Sequence, residues 1–120
     1  MPDPSSERLP QPLTAAELQQ RLNAGDTVCV IDVREAQELE IAPFPGPIRH
    51  LPLSGARQWM DALPDELSVA TPVVVICHAG VRSWQFGCWL LQQRPDLTVW
   101  NLEGGIDAWS VQVDPSVPRY

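Results

Sequence analysis

The stretch Cys77-His78-Ala79-Gly80-Val81-Arg82-Ser83 gathers the residue types from which a thiol reaction can be built. Cys77 follows Val73-Val74-Val75-Ile76, four β-branched residues that fit a strand buried on both faces, the state of a central strand in a parallel sheet. Beyond it, Val81, Trp84, Cys88 and Leu91 recur at helical spacing with Leu90 beside them, which predicts a helix from near Arg82. A strand, a tight loop and a helix in that order aim unpaired backbone N–H groups and the positive end of a helix dipole at the thiol. Anions are stabilised at such a place, and the arrangement predicts that Cys77 is a thiolate at neutral pH.

Spacing narrows the chemistry further. Four residues separate Cys77 from Arg82, and Gly80 among them lets the chain curl where a Cβ would obstruct. A ring of N–H groups this small suits one sulfur atom riding on the thiolate. Tyrosine phosphatases and arsenate reductases place five residues between Cys and Arg, a wider cradle for a tetrahedral oxyanion.

Two other segments join the loop: Ile31-Asp32-Val33-Arg34-Glu35 upstream and Leu102-Glu103-Gly104-Gly105-Ile106-Asp107-Ala108-Trp109 downstream. With Cys77 to Ser83, in this order and at this spacing, they resemble the single-domain rhodaneses from about Leu13 to Trp109. The resemblance implies an α/β fold, a parallel sheet of about five strands with helices on both faces. It also implies a sulfurtransferase that moves sulfane sulfur from thiosulfate or a persulfide donor to cyanide, a thiol or a protein through a Cys77 persulfide. In that scheme the amides of His78, Ala79, Gly80, Val81, Arg82 and Ser83 stabilise the anionic sulfur. Arg82 anchors the loop and supplies positive field, and His78 and Val81 project sideways to tune the donor. The expected partners are a small sulfur-containing anion and a protein donor or acceptor. No metal or organic cofactor is expected, since the two histidines form no local metal motif and Gly104-Gly105 is not a phosphate loop. The rival readings are a binding module that keeps the fold without transferring sulfur and, disfavoured by the short loop, a phosphatase or arsenate reductase.

Composition agrees with a single domain. At 120 residues the chain can bury roughly two thirds of its unfolded surface without a disulfide or metal. A formal net charge of −7 argues against a nucleic-acid partner and obliges any anionic donor to find its positive potential locally, from Arg82, the loop amides, Arg49, His50 or His78. Three cysteines without CxxC spacing suit reduced thiols. No apolar run is long enough to cross a bilayer and no signal peptide opens the chain, so a cytoplasmic protein is expected.

The scaffold follows in order. Residues 1–11 read as a mobile leader, 12–110 as the domain and 111–120 as an extended tail. Thr14-Ala15-Ala16-Glu17 is a capping box for a helix from Ala15 to about Asn23, with Leu18 and Leu22 inward and Gly25 closing it. Val28 to Asp32 is a strand ending in a carboxylate, which puts Asp32 on the sheet edge that carries Cys77. Asp32 and Arg34 either line the substrate mouth or clamp the loop as an ion pair, and the second is preferred because buried charges are paired. A short helix is expected over Glu35 to Glu40, and the proline-rich Pro43–Pro47 loop departs from the rhodanese pattern, which leaves loop shape and substrate entry open. Ser54 to Leu63 reads as a helix with Trp59, Met60 and Leu63 on one face. Trp89 is expected to be partly exposed, Cys29 and Cys88 to be packing residues, and Leu97 to Leu102 to be the last strand.

Overall fold

The computed structural model describes residues 8–120. In chain order they form β1 (Gln11–Leu13), α1 (Ala15–Asn23), β2 (Cys29–Asp32), α2 (Ala36–Ile41), β3 (Arg49–His50), α3 (Ala56–Trp59), α4 (Leu63–Glu66), β4 (Val73–Ile76), α5 (Val81–Gln93), β5 (Val99–Leu102) and α6 (Gly105–Gln112). All five strands run parallel in the order β1-β5-β4-β2-β3, so β4 lies in the middle.

Alternation along β4 explains the two layers of helices. Val73, Val75 and Cys77 face a core that also holds Phe86, Leu90 and Leu91 of α5 and Leu63 of α4. Val74 and Ile76 face the opposite core, with Leu18 of α1 and Ile106 and Trp109 of α6. Every residue of β4 is fully buried, as a strand covered on both sides requires. Asp32 pairs in register with Ile76, which sets Asp32 and the residue after Ile76, Cys77, on one carboxyl edge.

The predicted first helix forms as expected. Thr14 accepts from the Glu17 amide and Glu17 reaches back to the Thr14 amide. Other expectations need correction. The leader was expected through residue 11, but Gln11 begins β1, and Pro10 is buried against Gly87, where a Cβ would strike its ring. Residues 1–7 of that leader lie outside the described residues. The helix expected over Ser54 to Leu63 is broken into a 3-10 turn at Leu53–Gly55, α3 and α4. Gly55 opens α3, Pro64 fits only the first turn of a new helix, and Met60 faces solvent at 40% exposure. Trp89 is partly exposed, as expected, with its ring in a cluster with Trp59 and Phe86, and Trp84 of the same helix is exposed as well. Residues 111–120 are not one extended tail either. α6 continues to Gln112, and Val117 is buried in the core beneath.

Candidate active site

Cys77 lies at the end of β4 and is 1% exposed. Its Sγ accepts from the Gly80 amide at 3.1 Å and sits 3.2 Å from Ser83 Oγ. The loop can close this tightly because Gly80 caps α5 with φ of 104°, a conformation L-residues avoid. Of the loop amides, Gly80's is the one that reaches the sulfur.

Ser83 and the backbone around Gly80 are held by Asn101, near the end of β5. The Asn101 amide nitrogen donates to the Gly80 carbonyl at 3.0 Å, and its carbonyl oxygen accepts from the Ser83 hydroxyl. The hydroxyl therefore has two acceptors within reach. It donates to Asn101 while the sulfur carries its own proton, and it can turn to a sulfur that carries charge.

The carbonyls of the loop are disposed of by α6. The Ile106 amide donates to the Cys77 carbonyl at 2.8 Å and the Asp107 amide to the His78 carbonyl at 3.1 Å. These are first-turn amides with no helical acceptor of their own. The Gly104-Gly105 turn, both residues at positive φ, brings the helix end this close. The turn is thus a tight connection, and it also underlies the loop that carries Cys77.

Charge around the sulfur is paired off. Arg82 makes two hydrogen bonds to the Glu38 carboxylate, at 2.6 and 2.8 Å, so the positive field expected of Arg82 is largely neutralised. The Arg82 guanidinium, aided by the Tyr120 hydroxyl and the Glu35 amide, overcomes desolvation and holds the Glu38 carboxyl down at about 2. Asp32 and Arg34 are fully buried and joined by three side-chain hydrogen bonds between 2.8 and 3.2 Å, with the Arg34 amide also on Asp32. That is the clamp, not an open mouth. His50 donates through Nε2 to the Arg34 carbonyl at 2.7 Å, and Arg49 pairs with Glu66, so neither is spare for an anion. His78 is stacked on Tyr120 and Val81 is 66% exposed. The Pro43–Pro47 loop folds Phe44 onto Trp109 with ring centroids 4.9 Å apart, on the α1 and α6 face. Burial pushes the Cys29 and Cys88 thiols up. Among the described residues no group of three or more His, Cys, Asp and Glu gathers as a metal would require.

Three contributors escaped sequence reasoning. Asn101 had a signal, a polar residue near the carboxyl end of a strand between Trp100 and Leu102. Glu38 was visible only as the far member of a capping pair with Glu35, and Tyr120 had none.

The Glu38–Arg82 pair has a pH signature. A carboxyl that titrates near 4.5 when free and about 2 in the fold adds stability that is complete above 4.5 and disappears as pH falls toward 2. Glu38→Gln should lower stability at neutral pH by about 2 kcal/mol, less than the full shift converts to because water reaches the pair. Thermal unfolding followed down the acid range should show the two chains converging toward pH 2.

A family model described as a rhodanese-like domain matches residues 14–112. The chain belongs to that family. Among curated proteins this rhodanese-like chain is similar to the rhodanese-like/PpiC domain-containing protein 12, chloroplastic, of Arabidopsis thaliana. The identity is 40% over 95 residues, 79% of this chain and 31% of that protein. A sulfurtransferase from Allochromatium vinosum is 32% identical over 98 residues, covering 82% of this chain and 86% of its own length. Among solved structures, a rhodanese-like domain protein from Staphylococcus aureus superposes with a TM-score of 0.69 at 24% identity, over 92% of this chain and 98% of that one. The fold is therefore the rhodanese-like one, five parallel strands between helices. The chain spans under a third of the length of the first curated relatives it matches. No described helix is long and apolar enough to cross a membrane.

Proposed function

We propose that this chain is a sulfurtransferase of the rhodanese type, working by two successive displacements at Cys77. In the first, the Cys77 thiolate attacks the outer sulfur of thiosulfate or another sulfane donor. A bond forms from Sγ to that sulfur, and the bond to the donor breaks, its electron pair leaving with sulfite or the donor thiolate. In the second, cyanide, a thiol or a protein acceptor attacks the outer sulfur of the persulfide and restores the thiolate. Each step breaks one sulfur–sulfur bond as a new bond to the transferred sulfur forms, to sulfur or, with cyanide, to carbon, so one transfer is divided into two smaller barriers. Neither step calls for a metal or an organic cofactor.

The observation that carries this reading is the sulfur's surroundings. Sγ meets one amide donor and one rotatable hydroxyl at the base of a loop whose Cys77 and His78 carbonyls are tied away to α6. A site that offers donors to the sulfur and keeps those carbonyls off it favours an anion there. The short Cys77–Arg82 loop supports a sulfur cargo over a phosphoryl group. A reducing compartment such as the cytoplasm suits the three free thiols.

Incubation with thiosulfate followed by intact mass measurement tests it. One added sulfur, lost on treatment with cyanide as thiocyanate appears, is expected. No sulfur uptake together with brisk hydrolysis of a phosphate ester would overturn it.

A further inference from the structure

Tyr120 lies against the loop that carries Cys77. Its ring stacks on His78, centroids 4.2 Å apart and planes 19° from parallel. Its hydroxyl donates to Glu38 at 2.7 Å and accepts from Arg34 Nη1 at 3.2 Å. His78 belongs to the loop after β4, while Arg34 and Glu38 follow β2, so one phenol joins both sides of the carboxyl edge from which Cys77 must be reached. The segment leading to it is fastened. The Ser110 hydroxyl donates to the Val117 carbonyl at 2.5 Å, and Arg119 makes two hydrogen bonds to Asp107 at 2.8 and 3.1 Å. Cys77 is 1% exposed, while Tyr120 keeps 37% of its surface in solvent.

We propose that Tyr120 is the specificity-determining residue of the sulfur-exchange site. It is a wall that admits small sulfur donors and acceptors to Cys77 and holds back bulky ones, such as a thiol on a folded protein. The inference rests on Cys77 being the sulfur-carrying thiol, and it narrows the acceptor to a low-molecular-weight nucleophile. Stacking gives the wall its place. The hydrogen bonds to Glu38 and Arg34 fix its angle, because a phenol tied at its hydroxyl and its face has little freedom left.

The test reads access separately from transfer. Alkylation rates of Cys77, distinguished from Cys29 and Cys88 by peptide mass, are measured on the full chain with iodoacetamide and with a maleimide bearing a poly(ethylene glycol) chain. Tyr120→Ala should raise the bulky reagent's rate about tenfold more than the small one's, the size of discrimination a shaped pocket gives. Tyr120→Phe, which keeps the ring and drops both hydrogen bonds, should fall between. With thiosulfate-loaded protein, the ratio of discharge by reduced thioredoxin to discharge by cyanide should move the same way. An unchanged ratio in Tyr120→Ala, or equal gains for both reagents, would overturn the proposal, since the residue would then only stiffen the loop. If the chain takes up no sulfur, the alkylation ratio still decides whether the wall exists, and that failure belongs to the transfer reading alone.

Discussion

Cys77→Ser should take up no sulfur: incubated with thiosulfate, its intact mass should stay unchanged and cyanide-dependent turnover should fall by about 10³-fold or more, the scale of loss on removing a covalent nucleophile. The substitution changes little else. Serine oxygen at this position finds the partners that the sulfur has, the Gly80 amide and the Ser83 hydroxyl, so the loop keeps its hydrogen bonds. What is lost is a nucleophile that ionises in water and forms a bond to sulfur that a second nucleophile can readily break. The comparison also separates the catalytic reading from that of a module that only binds, whose partner capture would survive the change. An equal gain of sulfur by Cys77→Ser would move the chemistry to Cys29 or Cys88. Both are free, and burial works against ionising either.

Gly105→Ala should be the most damaging single methyl group in the chain. Gly105 has φ of +63°, and a Cβ there would collide with the carbonyl oxygens of His78 and Cys77. Those carbonyls are held by the Ile106 and Asp107 amides, so relief of the clash means pulling the loop off the end of α6. We expect a loss of about 3 kcal/mol or more, beyond the roughly 1–2 kcal/mol that a left-handed conformation costs an L-residue by itself. Gly25→Ala supplies the control. Gly25 also has positive φ, at +80°, but nothing lies within 4 Å of its Cβ position. It should lose only the conformational cost and retain sulfur uptake. Denaturant unfolding and sulfur uptake measured on both variants check this, and equal losses would mean that the contact with the loop matters little.

The parts of the site that were legible in the sequence are those written over short distances. β4, the loop from Cys77 to Ser83, the capped α1 and the Asp32–Arg34 clamp each depend on residues within a few positions of one another. Local period and spacing therefore report them. β1 was missed because Gln11-Pro12-Leu13 has no strand pattern of its own. It is a strand because Trp100, Asn101 and Leu102 lie beside it. The run from Ser54 to Leu63 misled for the opposite reason, since a helical period there is overridden by Gly55 and Pro64. The partners that complete the site are remote in sequence: Glu38 from Arg82 by 44 positions, Asn101 from Ser83 by 18 and Tyr120 from Arg34 by 86. No window of residues contains such pairs, and only the folded chain brings them together.

The pairing of Arg82 with Glu38 and of Arg34 with Asp32 also governs how a substrate arrives. With those guanidiniums cancelled, the long-range potential is that of a chain with net charge −7, which repels a small anion at distances where main-chain dipoles are not felt. Dissolved ions screen that repulsion over about 8–10 Å at physiological strength, while donors in contact with the sulfur are screened far less. Encounter with an anionic donor is therefore hastened by ionic strength, and selectivity is exercised only at touching range.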